Sequence, residues 1–158
     1  MERLLINPTD LKNARSIGYN HAVIENGEFA MAGQVAMDAN GEIVGDDIET
    51  QARRAYANVG HLLGAIDKDF PDVTKVTTHI VDPHSNYHDG YKDVYWETFA
   101  EPYPSHTVLG VHQLAHEDYL VEVEIDLALT DADVDAIEPD GDVIQRVTER
   151  GSQGSAGR

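Results

Sequence analysis

The clearest pattern in the chain is a strict alternation near its last third. Val121, Val123, Ile125 and Leu127 fall on one side, and Glu122, Glu124 and Asp126 on the other. A period of two predicts a strand with one buried face. A second strand is expected from about Thr107 to His112, and a histidine-bearing connection joins the two within Pro104–Ala128. Three carboxylates along one strand face repel each other unless water, a partner subunit or a ligand attends to them.

The remaining elements follow from the same patterning. Arg3–Ile6 is a short apolar run stopped by Asn7-Pro8 and reads as an edge strand. Residues 11–18 are expected to be loop. His21–Val35 reads as a hairpin turning at Asn26-Gly27, where both turn positions need positive φ. Gly33, inside its second strand, predicts a bulge or a close approach to the backbone. A helix is expected after Gly45, with Asp46 as N-cap and Glu49 completing a capping box. Its apolar stripe runs through Ile48, Ala52, Ala55, Val59, Leu62, Leu63 and Ile66. Val73–Val81 is rich in β-branched residues and predicts a strand. Tyr91, Val94, Tyr95, Thr98 and Phe99 suit a second helix over Tyr87–Ala100, halted before Pro102 and Pro104. The order β-β-α-β-α-β-β predicts an α+β fold, a mixed sheet with two helices on one face.

Beyond Thr130 the composition changes. Residues 1–130 form the expected domain, and residues 131–158, acidic and then Gly/Ser-rich, read as a flexible C-terminal extension. With 158 residues and 41% hydrophobic content, one core is expected. There is no apolar run long enough for a bilayer and no signal-peptide layout at the N-terminus, so a cytoplasmic location is expected. The chain has no cysteine, which excludes disulfides, thiolate metal sites and a cysteine nucleophile.

Charge changes the picture further. There are 29 acidic against 11 basic residues, a net of −18, and the excess is spread over both segments. Such a chain repels phosphate backbones, which argues against nucleic acid as a partner. Solubility explains the excess in one reading; a high-salt cytoplasm explains it in another, and only four of the basic residues are lysine. His84 and His88, and His112 and His116, are spaced by four, but one pair straddles a turn and the other a strand end. Neither is a helical HExxH layout, so no metal is assigned, and no phosphate-binding Gly motif or other cofactor signature is present.

From about Gly18 to Thr130 the chain resembles the RidA (YjgF) family of reactive imine/enamine deaminases. The resemblance rests on Gly18-Tyr19, Ala32-Gly33-Gln34, Gly45-Asp46-Asp47-Ile48, Gln51-Ala52-Arg53 with Asn58, Val76, Asp82, Tyr91, Phe99, Pro104 and Val121-Glu122-Val123-Glu124, in that order and spacing. It implies a chorismate-mutase-like protomer and a homotrimer binding a small carbonyl or imine metabolite in clefts between subunits. By this resemblance Glu122 positions the attacking water, Tyr19 shapes the pocket, and Gly33 and the backbone at Val108 line it.

Two positions depart from the family pattern. His106 stands where active members carry the arginine that clamps the substrate carboxylate, and Lys92 stands where asparagine is frequent. The connection 114–118 is also one residue longer and lacks the usual proline. Arginine grips a carboxylate through two parallel hydrogen bonds, whereas histidine offers one donor there and is only partly charged near pH 7. Two compensations are expected: Glu122 or another acid keeps His106 cationic, or Lys92 supplies the charge. The expected activity is hydrolytic deamination. The alternatives are a metabolite-binding or sensing trimer without turnover and, against the charge, an endoribonuclease.

Overall fold

The computed structural model describes residues 2–148. Eight strands carry the fold: β1 (Arg3–Ile6), β2 (Ala22–Glu25), β3 (Glu28–Met31), β4 (Gln34–Val35), β5 (Lys75–Val81), β6 (Ser105–Val111), β7 (Val121–Asp126) and β8 (Ile144–Val147). They form two four-stranded sheets, β3-β2-β1-β8 and β4-β7-β5-β6. An antiparallel bridge between Glu28 and Ala128 links them at β3 and β7. All pairings are antiparallel except β5 with β6. The architecture is mixed α+β, as the patterning predicts.

Helix α1 (Ile48–Ala65) lays its apolar stripe across β4 and β7. Its cap is Asp47, not Asp46: the Asp47 carboxylate accepts from the Thr50 amide at 2.8 Å. Gly45 already turns the chain with φ +82°, which leaves Asp47 as the last extended residue before the helix. Buried Gln51 anchors the helix start, donating to the carbonyls of Gly45 and Asp118 and accepting from the Leu120 amide. The second helix is broken. It consists of α2 (Pro83–Asn86), a π-turn over Tyr87–Tyr91 and α3 (Lys92–Thr98).

On β5 and β7, Val76, Thr78, Ile80, Val121, Val123 and Ile125 face these helices and are fully buried or nearly so. They join α1, Tyr91 and Val94 in one core. The opposite face carries Lys75, Thr77, His79, Glu122 and Glu124, all half-buried.

Two expectations are corrected at the chain ends. Strand β1 is interior, paired with β2 on one side and β8 on the other. Residues 131–147, expected to be flexible, form α4 (Asp131–Ala136) and β8, with Ile137 and Ile144 buried in the core. Thr130 and Asp133 build a capping box at the start of α4, and Asp133 pairs with Lys68 at 2.6 Å. Short apolar segments flanked by acidic loops thus find a sheet edge to complete. Residues 149–158 of the expected extension lie outside the described residues. Among the described residues no helix is long and apolar enough to cross a membrane.

Candidate functional site

The hairpin strand β3 does not run straight into β4. From Glu28 opposite Ala128 to Gln34 opposite Val123, one strand advances six residues and its partner five. The extra residue is the bulge that Gly33 predicts. It has a steric reason as well, because a Cβ on Gly33 would collide with the carboxylate of Glu122. The Glu122 side chain therefore lies directly over the bare backbone of the bulge. The bulge is braced from behind, where the Gln34 amide donates to the Ala32 carbonyl at 2.9 Å.

Glu122 projects from the face of β7 away from the helices, with His79 directly across on β5 and Glu124 two residues along. Burial raises its pKa above the ordinary carboxylate value; His79 opposes the shift and Glu124 adds to it. Tyr19 arrives from a 3-10 turn (Ala14–Ile17) closed by Gly18 at φ +96°. Its phenol pKa is raised by burial and then by the charge of Glu122, which places the two groups within electrostatic reach. Tyr119 feels both of them as well. The His21 ring packs edge-on behind Tyr19 at 5.6 Å, held at 2.8 Å from the Lys12 carbonyl. A small cavity between these elements is lined by Lys12, Tyr19, His21, Gly33, Gln34 and Asn58. The structure thus brings Tyr19, Gly33 and Glu122 together.

His106 lies elsewhere. In the parallel pair β5–β6 it sits beside Val76, and Val108 beside Thr78, so both side chains face the helices. Nε2 of His106 is 3.1 Å from the Thr78 hydroxyl and 3.0 Å from the Tyr91 hydroxyl. The ring stacks on Tyr95 at 4.2 Å and 10°. Burial lowers its pKa. Within one protomer Glu122 does not reach His106, since the two project from opposite faces of one sheet. Lys92 directs its ammonium over the exposed ring of Trp96 one turn along its own helix, 5.5 Å from the centroid. Among the described residues strand β6 has a neighbour on one side only, so the backbone at Val108 belongs to a sheet edge.

The candidate residues accordingly fall into two half-sites. One consists of Tyr19, Gly33 and Glu122; the other of His106 and Val108 on β6, while Lys92 is turned to Trp96 on α3. The residues that surround them are Tyr56, Thr78, Tyr91 and Tyr95 around His106, and His79 and Tyr119 around Glu122. Of these, the sequence marked Tyr91, by the family resemblance, and both Tyr91 and Tyr95, by the helical pattern of the second helix. Among the described residues no three side chains of metal-binding type come together.

Residues 12–129 match the family described as Endoribonuclease L-PSP. The chain is 35% identical over 112 residues to a RutC family protein of Pyrococcus horikoshii, across 70% of this chain and 86% of that protein. It is 31% identical over 97 residues to the 2-iminobutanoate/2-iminopropanoate deaminase of Capra hircus, across 61% of this chain and 69% of that one. Among solved structures, protein YjgH is similar at a TM-score of 0.73 and 27% identity, over 82% of this chain and 98% of that one.

Proposed function

The chain belongs to the RidA (YjgF) family, and on that premise we propose that it is a homotrimer that binds a small carbonyl or imine metabolite between subunits and hydrolyses reactive imines there. One observation carries this reading: a half-buried carboxylate, Glu122, is seated on a glycine bulge beside Tyr19 with its pKa raised. A carboxylate of raised pKa is a better base for a water molecule than an ordinary surface glutamate. In this scheme Glu122 holds and deprotonates the water that adds to the C=N carbon, and Tyr19 shapes the wall opposite. The nitrogen leaves as ammonia and the carbon as a carbonyl.

The two half-sites call for a neighbouring copy of the chain to complete the site. Glu122 and His106 face opposite sides of one sheet, so within a protomer they cannot share a ligand. The Glu122 half of one protomer must meet the His106 half of its neighbour. Free edge strand β6 supports that reading, because its outer face carries Leu109 at 45% exposure beside Thr107 and Val111, an apolar strip suited to burial against a second copy. The positions of His106, the Val108 backbone and Lys92 then line the second wall.

The test is a coupled assay in which an amino-acid oxidase or an amine oxidase releases an imine and carbonyl appearance is followed. Faster appearance with the wild type from at least one source, lost in Glu122→Ala, is the expected result. A second reading is favoured by one feature: the clamp position holds a histidine of lowered pKa in place of a cation. No acceleration from either source would leave a binding trimer without turnover. RNA cleavage is suggested by the family description, and a net charge of −18 opposes it.

A further inference from the structure

Imine hydrolysis needs an acid as well as a base. Turning C=N–H into C=O and ammonia moves both protons of one water molecule from oxygen to nitrogen. The C–N bond breaks readily only when the departing nitrogen is protonated. An ionised Glu122 can take protons from oxygen, and a second group must give them to nitrogen.

The sheet face that carries Glu122 offers few candidates. His79 stands directly opposite on β5 and is itself beside Leu109 of β6, so Glu122, His79 and Leu109 form one row across three strands. On the far side of Glu122, β4 presents Val35. The next row holds Glu124, Thr77 and Thr107, and the one after it Asp126, Lys75 and Ser105. Tyr19 and Tyr119 feel the charge of Glu122 from outside the strands, and burial first and that charge after it raise both phenols, which makes them poor acids. Glu124 shares the sign of Glu122, Thr77 does not ionise, and Lys75 is two rows away opposite Asp126. Histidine is the side chain that gives up and regains a proton near neutral pH. His79 is the only histidine in these rows.

Its placement suits the task. Directly opposed residues of neighbouring strands have Cβ atoms about 4.5–5.5 Å apart. The Glu122 carboxylate leans over Gly33, toward β4 and away from β5. His79 accordingly acts on it through charge and not through a hydrogen bond, opposing the effect of burial. Both side chains are half-buried on a face that the helices do not cover.

We propose that His79 is the acid of the reaction, protonating the substrate nitrogen while Glu122 takes protons from oxygen. In the first step water oxygen bonds to the imine carbon and Glu122 accepts one water proton. The C=N π pair moves to nitrogen, which takes a proton from His79, and a carbinolamine results. The proton on Glu122 then passes to the neutral imidazole, a transfer that is downhill by the ordinary order of carboxyl and imidazolium acidities. In the second step Glu122 accepts the carbinolamine hydroxyl proton and the C=O bond forms. The C–N pair leaves with nitrogen, His79 donates again, and ammonia departs. One more transfer from Glu122 to His79 restores the pair.

This inference rests on Glu122 being the base of an imine hydrolase, and the experiment separates the two. The full chain is assayed with the imine that L-amino-acid oxidase makes from leucine and with the one that a flavin amine oxidase makes from benzylamine. Wild type, His79→Gln, His79→Ala and Glu122→Ala are compared, with circular dichroism to check the fold. The expected result for H79Q is a fall of about 10²-fold in kcat with KM little changed. The advantage of the wild type over H79Q is expected to shrink between about pH 6 and about pH 9, as imidazolium is lost. Added imidazole is expected to restore part of the activity of H79A and none to Glu122→Ala. H79Q at the wild-type rate overturns the inference and leaves Glu122 as the base. A loss in H79A that imidazole does not restore gives His79 a structural role and overturns it too. Should H79Q fail to fold, this rescue decides. No acceleration of either imine by the wild type overturns both claims.

Discussion

At the scale of single residues, Glu122 couples function to stability with opposite signs. Its folded pKa is raised, so between the ordinary carboxylate value and the folded value the native state binds more protons than the unfolded chain. Stability therefore falls as pH rises through that window, and above it the full penalty of a buried charge remains. Glu122→Gln removes the penalty. Its melting temperature is expected to exceed that of the wild type at pH 7–8, with the gain vanishing as pH drops below the ordinary glutamate range, while imine hydrolysis falls about 10²–10⁴-fold. A thermal melt series across pH reads the first effect and the coupled assay the second; a gain that grows toward acid would reverse the assignment. Tyr91→Phe is expected to cost about 1–3 kcal/mol in denaturant unfolding, because it removes the buried hydroxyl that lies 2.7 Å from the Tyr56 hydroxyl. The alternation at Val121–Leu127 made the orientation of Glu122 legible from the sequence. That of His106 was not, because Ser105–Val111 mixes polar and apolar residues on both faces and its direction depends on a parallel pairing with Val76.

Among the elements, the bulge at Gly33 and the strand β8 do the most for the fold and site. Asn-Gly and the glycine inside the following strand marked the hairpin and its bulge in advance, because both features rest on local backbone chemistry. What the bulge accommodates, the Glu122 carboxylate, is a contact between distant segments and had no local signal. Gly33→Ala is expected to keep the fold and displace Glu122, giving loss of ligand binding with a near-native circular dichroism spectrum. Unchanged binding would show that the carboxylate does not need its seat. Strand β8 was hidden for a different reason: Ile144–Val147 is four residues long, lies among acidic and Gly-rich neighbours, and acquires its meaning only from its pairing with β1. Ile144→Ala is expected to destabilise the protein by about 2–4 kcal/mol, measured by urea unfolding. A cost under about 0.5 kcal/mol would return the segment to the status of an appendage.

For the whole molecule, charge sets the conditions of assembly. With a net of −18 per chain, bringing copies together concentrates like charge, and the repulsion is long-ranged at low ionic strength. The screening length shrinks from about 10 Å at 0.1 M salt to about 3 Å at 1 M. Light scattering is expected to report three times the protomer mass at molar potassium chloride, with dissociation or a lowered melting temperature as salt is withdrawn. A monomer at every salt concentration would remove the shared cleft. The net charge and the fold family were open to reading in the sequence. The division of the candidate residues into two half-sites was not, since it depends on which face of a folded sheet each residue occupies.

The pairing of β1 with both β2 and β8 has a consequence for biosynthesis. Leu4 pairs with Ile24 of the opening hairpin on one side and, on the other, with Arg146, more than 140 residues along the chain. While the polypeptide emerges from the ribosome, the outer edge of β1 stays open, and Ile144 has yet to be made. The sheet cannot close until β8 has been made, and closing it joins segments separated by nearly the whole described length, a slow kind of contact to form. Until then the nascent chain exposes a bare strand edge, and the acidity of the chain keeps neighbouring nascent chains apart.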